Sequence, residues 1–210
     1  LYYKSVSQRS NPLLKPEYAT TFETGLKLNK NNLKLDVTGF YRAGTNLIDW
    51  IKLPDSTIWI SSNLSKVNTL GAEFTAGYLF DGNFAKKITV SYALLNMTRP
   101  NTPFISKYVL DYLRNKVNIS FQHNIYKNLT GTWQAGYYNR AGEYITVQGG
   151  TSQSYKPYFI ADFRLMWKLK NLELFADLRN FTNTQYADFG GLTQPGINFN
   201  TGFILNVFKK

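Results

Sequence analysis

His123 is the only histidine in the 210-residue chain, and there is no cysteine. Ser-His-Asp and Cys-His catalysis therefore lack the parts they need, and a metal site built on imidazole or thiolate has no second ligand. Carboxylates remain: Glu73 and Asp162 are the pair a glycosidase reading would use, but nothing in the sequence brings them together. No enzyme, resident metal or cofactor is expected. The residue types that do gather suit recognition. Asn46, Trp50, Lys52 and Trp59 fall within residues 43–65, while Tyr138, Arg140, Tyr144, Gln148 and Gln153 lie in or beside 141–156. Aromatic rings supply contact area against an amphipathic ligand, and amide or guanidinium groups supply directional bonds. The bland alternative is that Trp50 and Trp59 anchor a small hairpin or sit in a headgroup belt.

What would hold these residues in place has a period of two. In TTFETGLKL, Phe22, Thr24, Leu26 and Leu28 alternate with Glu23, Gly25 and Lys27; LKLDVTGFYR repeats the pattern. Nine strands are expected, near 20–28, 33–42, 66–80, 86–96, 114–123, 129–140, 157–169, 172–180 and 197–208. Asn29–Asn32, Asp81–Asn83, Asn124–Asn128 and Lys170–Asn171 read as tight turns. Between them lie longer segments at 43–65, 97–113, 141–156 and 181–196. Short and long alternate, so the long loops all fall at one end of the sheet. That is the layout of an antiparallel transmembrane β-barrel.

The two faces differ. Glu23, Lys27, Lys34, Asp36, Arg42, Glu73, Lys87, Asp162, Arg164, Lys168, Glu173, Asp177 and Arg179 share one parity, and the opposite parity carries no charge within the strands. A charge facing lipid at mid-depth costs about 2–4 kcal/mol, which accounts for that clean face. Tyr41, Tyr137 and Phe159 at one end, with Phe80, Trp167 and Phe208 at the other, read as two aromatic belts. The cations on the polar face form either a weak funnel for an anionic chelate or a network paired with Glu23, Asp36, Asp162 and Asp177. The formal charge of +11 suits the anionic lipopolysaccharide leaflet, whereas the dispersed Lys and Arg give no nucleic-acid stripe. His123, beside a turn, reads as structural.

A soluble β-sandwich module binding a carbohydrate or other ligand would also alternate apolar and polar residues. It remains the alternative at this point. Strands of about ten residues, one-ended loops and paired belts favour the barrel. Nine strands with two free edges cannot span alone, so they are expected to be part of a larger barrel.

Three stretches resemble the C-terminal barrel of TonB-dependent outer-membrane receptors. They are NPLLKPEYATTFETGLKL at 11–28, TLGAEFTAGY at 69–78, and the ending, in which Asn180-Phe181-Thr182-Asn183-Thr184-Gln185-Tyr186 is followed by Gln194-Pro195-Gly196 and a strand closing on Phe208. Leu13 stands where the family often has an acidic residue, and Lys209 and Lys210 follow the closing aromatic. The resemblance implies a barrel of about 22 strands, of which these would be the last nine, with plug and TonB-contacting segment outside the 210 residues. It also implies residence in the outer membrane of a Gram-negative bacterium and import of a scarce, bulky ligand: a ferric siderophore, haem or cobalamin. The implied partners are that metal chelate or cobalamin, the TonB complex, and outer-membrane lipid with lipopolysaccharide.

Overall fold

The computed structural model describes residues 5–98, 103–146 and 151–207. Among these, nine strands follow one another in a single antiparallel sheet. They are β1 (Tyr18–Lys30), β2 (Leu33–Lys52), β3 (Trp59–Leu79), β4 (Ala85–Thr98), β5 (Tyr112–Tyr126), β6 (Leu129–Ala141), β7 (Tyr158–Lys168), β8 (Leu172–Arg179) and β9 (Asn198–Leu205), each paired with the next. The expectations on Phe208, Lys209, Lys210 and Gln148 lie outside the described residues.

Register carries the parity reading across the sheet. Leu33, Tyr78, Ile88, Phe121, Trp133, Phe163, Leu178 and Phe199 are paired one to the next from β2 to β9. Directly opposite residues share a face, so these eight form one apolar row. On the other face, Lys34, Gly77, Thr89, Ser120, Gln134 and Asp162 are paired in the same way. The apolar face is open: Leu26 is 79% exposed, Phe22 69% and Phe203 69%. Burying such a side chain is worth about 1.5–3 kcal/mol, so an apolar face this wide needs a cover. Among the described residues all nine strands lie in one sheet with no second sheet packed on this face, the arrangement of a barrel wall and not of a two-sheet sandwich.

At one end the turns are tight and tied to each other. Asn32 donates through Nδ2 to Asp81 at 2.7 Å, and Asn124 donates through Nδ2 to the carbonyl of Asn83 at 2.8 Å. Asn31 and Lys127 turn the chain with φ of 51° and 40°. The far end departs from expectation. Residues 43–65 are mostly strand, not loop: β2 continues to Lys52 and β3 begins at Trp59, with only 53–58 between them. At about 3.3 Å per residue, the 20 residues of β2 run well past an apolar band of about 25 Å. Both edges of this tall hairpin are covered, by Ile105–Ser106 on β2 and by Gln8–Arg9 on β3. The strands β1 and β9 are the free edges of the sheet.

The resembling stretches acquire physical roles. Asn11 and Lys15 donate their backbone N–H groups to Ser61 and Asn63, and Ile48 donates its N–H to Glu17, so the NPLLKPE stretch is sewn to the hairpin. In the ending, buried Asn180 donates to the carbonyls of Thr184 and Pro195 and accepts from Thr182 Oγ1 and the Thr184 N–H. Asn183 Oδ1 accepts from the Ile197 N–H and fills the space a Cβ at Gly196 would need.

Candidate ligand site

The long-loop end is knitted together by two buried carboxylates. Asp49, on the tall hairpin, accepts from the N–H groups of Trp50 at 2.7 Å, Tyr108 at 3.1 Å and Val109 at 3.2 Å, and from the Ser106 hydroxyl. It docks the segment between β4 and β5 onto the hairpin. Burial pushes its pKa above the ordinary carboxylate value, against the pull of these donors. Asp111 is the second hub. It accepts from Arg140 Nη1 at 2.7 Å, from the Tyr155 hydroxyl at 2.6 Å and from the Gly190 N–H at 3.2 Å. Arg140 Nη2 reaches Asp188 at 2.6 Å, and the guanidinium lies over the rings of Tyr155 and Phe189. Three loops therefore meet on one cation. The Tyr155 pKa is raised by burial and by donation to Asp111.

Beneath this layer three tyrosines stack on the polar face. The Tyr138 and Tyr158 centroids are 5.1 Å apart, and those of Tyr158 and Tyr186 are 4.1 Å apart. Tyr138 donates its hydroxyl to Asn118 at 2.8 Å. Tyr186, in the last loop, has its pKa raised by burial first and then by Asp188 and Asp162. Beside the loops lies a cavity of about 600 Å³, walled by Phe104, Ile105, Leu110 and Met97 with Arg114 and Glu143 at polar positions.

The expected recognition residues fall into separate places. Trp50 is buried, opposite Ser61 in the hairpin ladder. Asn46 has φ of 55°, and its carbonyl accepts from Asn63 Nδ2 at 2.6 Å. Trp59 is half-buried, with Lys52 Nζ 5.5 Å from its ring centroid. Tyr144 packs against Tyr155 with tilted rings 4.9 Å apart and donates to Gln153 at 3.3 Å, within the small hairpin Glu143–Ile145 and Ser152–Ser154. Tyr138 and Arg140 are the two that the fold brings to the meeting point of several loops. Asp49, Asp111, Tyr155, Tyr158, Asp188 and Lys107 were not singled out by the sequence, and Tyr186 entered only as part of the resembling ending. Most of their partners lie far away in sequence: Asp49 takes Ser106 and Tyr108, and Asp111 takes Arg140, Tyr155 and Gly190.

Other expectations resolve locally. Arg164 pairs with Asp177 at 2.5 Å and Arg179 with the same carboxylate at 3.7 Å, as the paired network requires. Asp36 instead takes Lys27 at 3.1 Å, and Asp162 accepts the Asn180 N–H. His123 points to the apolar face, stacks on Phe121, lies beside the tilted ring of Phe84, and accepts from the Trp133 indole at 3.1 Å. Glu73 on β3 and Asp162 on β7 are four strand spacings apart, roughly 15–20 Å, too far for a glycosidase pair. Among the described residues no three His, Cys, Asp or Glu side chains are grouped to hold a metal.

The sequence profile of the "TonB dependent receptor-like, beta-barrel" family matches residues 1–181. No curated protein matches the sequence. Among solved structures, the fold resembles the copper transporter OprC, with a TM-score of 0.72, 15% identity, and coverage of 91% of this chain and 30% of that one. It also resembles the FrpB iron transporter from Neisseria meningitidis, F3-3 variant (TM-score 0.67, 15% identity, 93% and 32%). A third is the pyoverdine outer membrane receptor FpvA from Pseudomonas aeruginosa PAO1, bound to pyoverdine (0.67, 14%, 96% and 31%). The chain spans about a third of the length of these structures. At these identities they speak for the fold, while TonB-dependent receptors as a class are transporters and not enzymes. An apolar outer face, a polar inner face, loops gathered at one end and a profile match over most of the residues lead to one conclusion: the chain belongs to the TonB-dependent receptor-like β-barrel family.

Proposed function

We propose that this chain is the C-terminal wall of an outer-membrane receptor that captures a scarce metal chelate at its loop end and imports it with energy delivered through TonB. The observation that carries the reading is the combination of an unbroken lipid-compatible face with a locked, aromatic loop layer at one end only. The apolar outer face suits residence in the outer membrane of a Gram-negative bacterium. The inner face and loops are left to handle the ligand. No bond is made or broken. Ferric siderophore, haem and cobalamin are the ligand classes a tyrosine-lined site suits, since each offers flat or conjugated area together with polar edges. The metal-chelate reading draws on relatives whose names record iron, copper and pyoverdine. Tyr138 and Arg140, with the loop residues Asn46, Trp50, Lys52, Trp59, Tyr144 and Gln153, are the proposed recognition set. Trp50 and Arg140 act from within the scaffold by holding the hairpin and the loops in place.

The test is uptake by cells. Radiolabelled ferric siderophores, haem and cobalamin are offered to a strain expressing the full-length receptor and to its deletion, with TonB present and absent. One ligand should accumulate only when both proteins are present. Correct outer-membrane assembly with no TonB-dependent accumulation of any of them would overturn the reading.

A further inference from the structure

The tip of the tall hairpin carries two cations on one ring. Lys52 Nζ and Lys107 Nζ each lie 5.5 Å from the Trp59 centroid, and Lys107 also lies 5.3 Å from that of Tyr108. The backbone fixes this arrangement. Lys107 donates its N–H to the Trp50 carbonyl at 2.9 Å, and Trp59 donates its own to Ser7 at 2.9 Å. Among the described residues neither lysine has a carboxylate within ion-pair distance.

Two acids near the tip are committed elsewhere. Glu17 accepts the Ile48 N–H, and Asp49 is buried beneath four donors. Asp55 lies in the 53–58 turn, while Arg9 on the covering segment adds another cation. Two ammonium groups near one indole, neither with a carboxylate partner among the described residues, leave positive charge that an anion would neutralise. We infer that Lys52, Lys107 and Trp59 form an anion-capture site for the carboxylate-bearing periphery of a soluble metal chelate.

Height separates this source from lipid phosphate. The outward apolar parity of β2 ends at Tyr41, and Lys52 comes eleven residues later. With a strand tilt of about 40°, that places the tip roughly 25–30 Å beyond the aromatic belt. The Debye length at physiological salt is about 8 Å, so headgroup charge is screened there. The site would meet an incoming anion before the tyrosine stack does. It missed recognition in the sequence because Lys107 is 48 residues from Trp59.

This inference rests on the import reading for its ligand class but has its own readout. The full-length receptor in detergent, with ¹⁵N-labelled tryptophan, is titrated with gallium citrate, and the Trp59 indole signal is assigned by its loss in Trp59→Phe. The signal should shift saturably. Half-saturation should rise at least about tenfold in Lys52→Gln/Lys107→Gln and return toward the parent value in Lys52→Arg/Lys107→Arg. No shift, or the same half-saturation in the glutamine pair, overturns the proposal. So does a Trp59 signal already moved by lipopolysaccharide nanodiscs before citrate is added. Intact TonB-dependent import with a silent Trp59 sinks this site alone, whereas a responsive Trp59 without import sinks the transport reading alone.

Discussion

The ring of Phe40 lies across Gly71, its direct partner on the neighbouring strand, and occupies the space a Cβ at 71 would need. The device recurs on the inner face. Phe175 covers its partner Gly202, and Tyr138 folds over Gly136 two residues before it in β6. A missing side chain lets each ring lie flat against backbone on that face.

Gly71→Ala should therefore destabilise the full-length receptor by about 1–3 kcal/mol through overpacking, read as a lower urea midpoint in detergent. Phe40→Ala placed with it should recover part of that loss, because the two positions share one space. Simple additivity would show that the ring does not depend on the glycine.

Arg140 is the cation on which three loops converge, with its side chain 9% exposed. Arg140→Met leaves Asp111 buried without its charge partner, a loss of about 3–5 kcal/mol. Amide exchange should rise in 103–111 and 186–193 while the strands stay protected. Arg140→Lys should not restore protection, since a single ammonium cannot hold Asp111 and Asp188 at once in a fixed fork.

Alkaline pH should open the same layer. The Tyr155 pKa is raised by burial and by its bond to Asp111, so its contribution is fully present below the ordinary tyrosine value near 10 and is lost as pH rises through the raised one. Limited proteolysis within 142–157 should accelerate above pH 10 in the parent. Tyr155→Phe should already be cleaved faster at pH 8 and should lose the step.

The wall was legible in the sequence and the loop layer was not, for different physical reasons. Lipid on one side and water on the other impose strict alternation, so Phe74 against Thr75 or Trp133 against Gln134 declares its face from parity alone. Above the bilayer that contrast ends. Leu47, Ile48, Trp50 and Ile51 break the alternation because protein covers both edges of the hairpin, and a strand there reads as loop. Arg140 attracted notice as a binding residue, but its carboxylate partners are 29 and 48 residues away. No local pattern announces pairings of that span.

Asn180 holds the last loop through both ends of its amide. Asn180→Ala strands the carbonyls of Thr184 and Pro195 and the Thr184 N–H, at about 1–3 kcal/mol for each group that water cannot reach. The expected outcome is faster amide exchange from 181 to 197 and weaker assembly of the full-length barrel. Exchange indistinguishable from the parent would remove Asn180 from the account.

The most direct test of the account is whether the two faces see different solvents. Single cysteines at Phe74, Thr75, Ser91 and Tyr92 of the full-length receptor, in a cysteine-free background, are challenged in whole outer membranes with a small water-soluble maleimide. Thr75→Cys and Ser91→Cys should label while Phe74→Cys and Tyr92→Cys stay unreacted, with the order reversed for a lipid-soluble quencher. Equal labelling at all four positions would contradict a wall with lipid on one side and a watery lumen on the other.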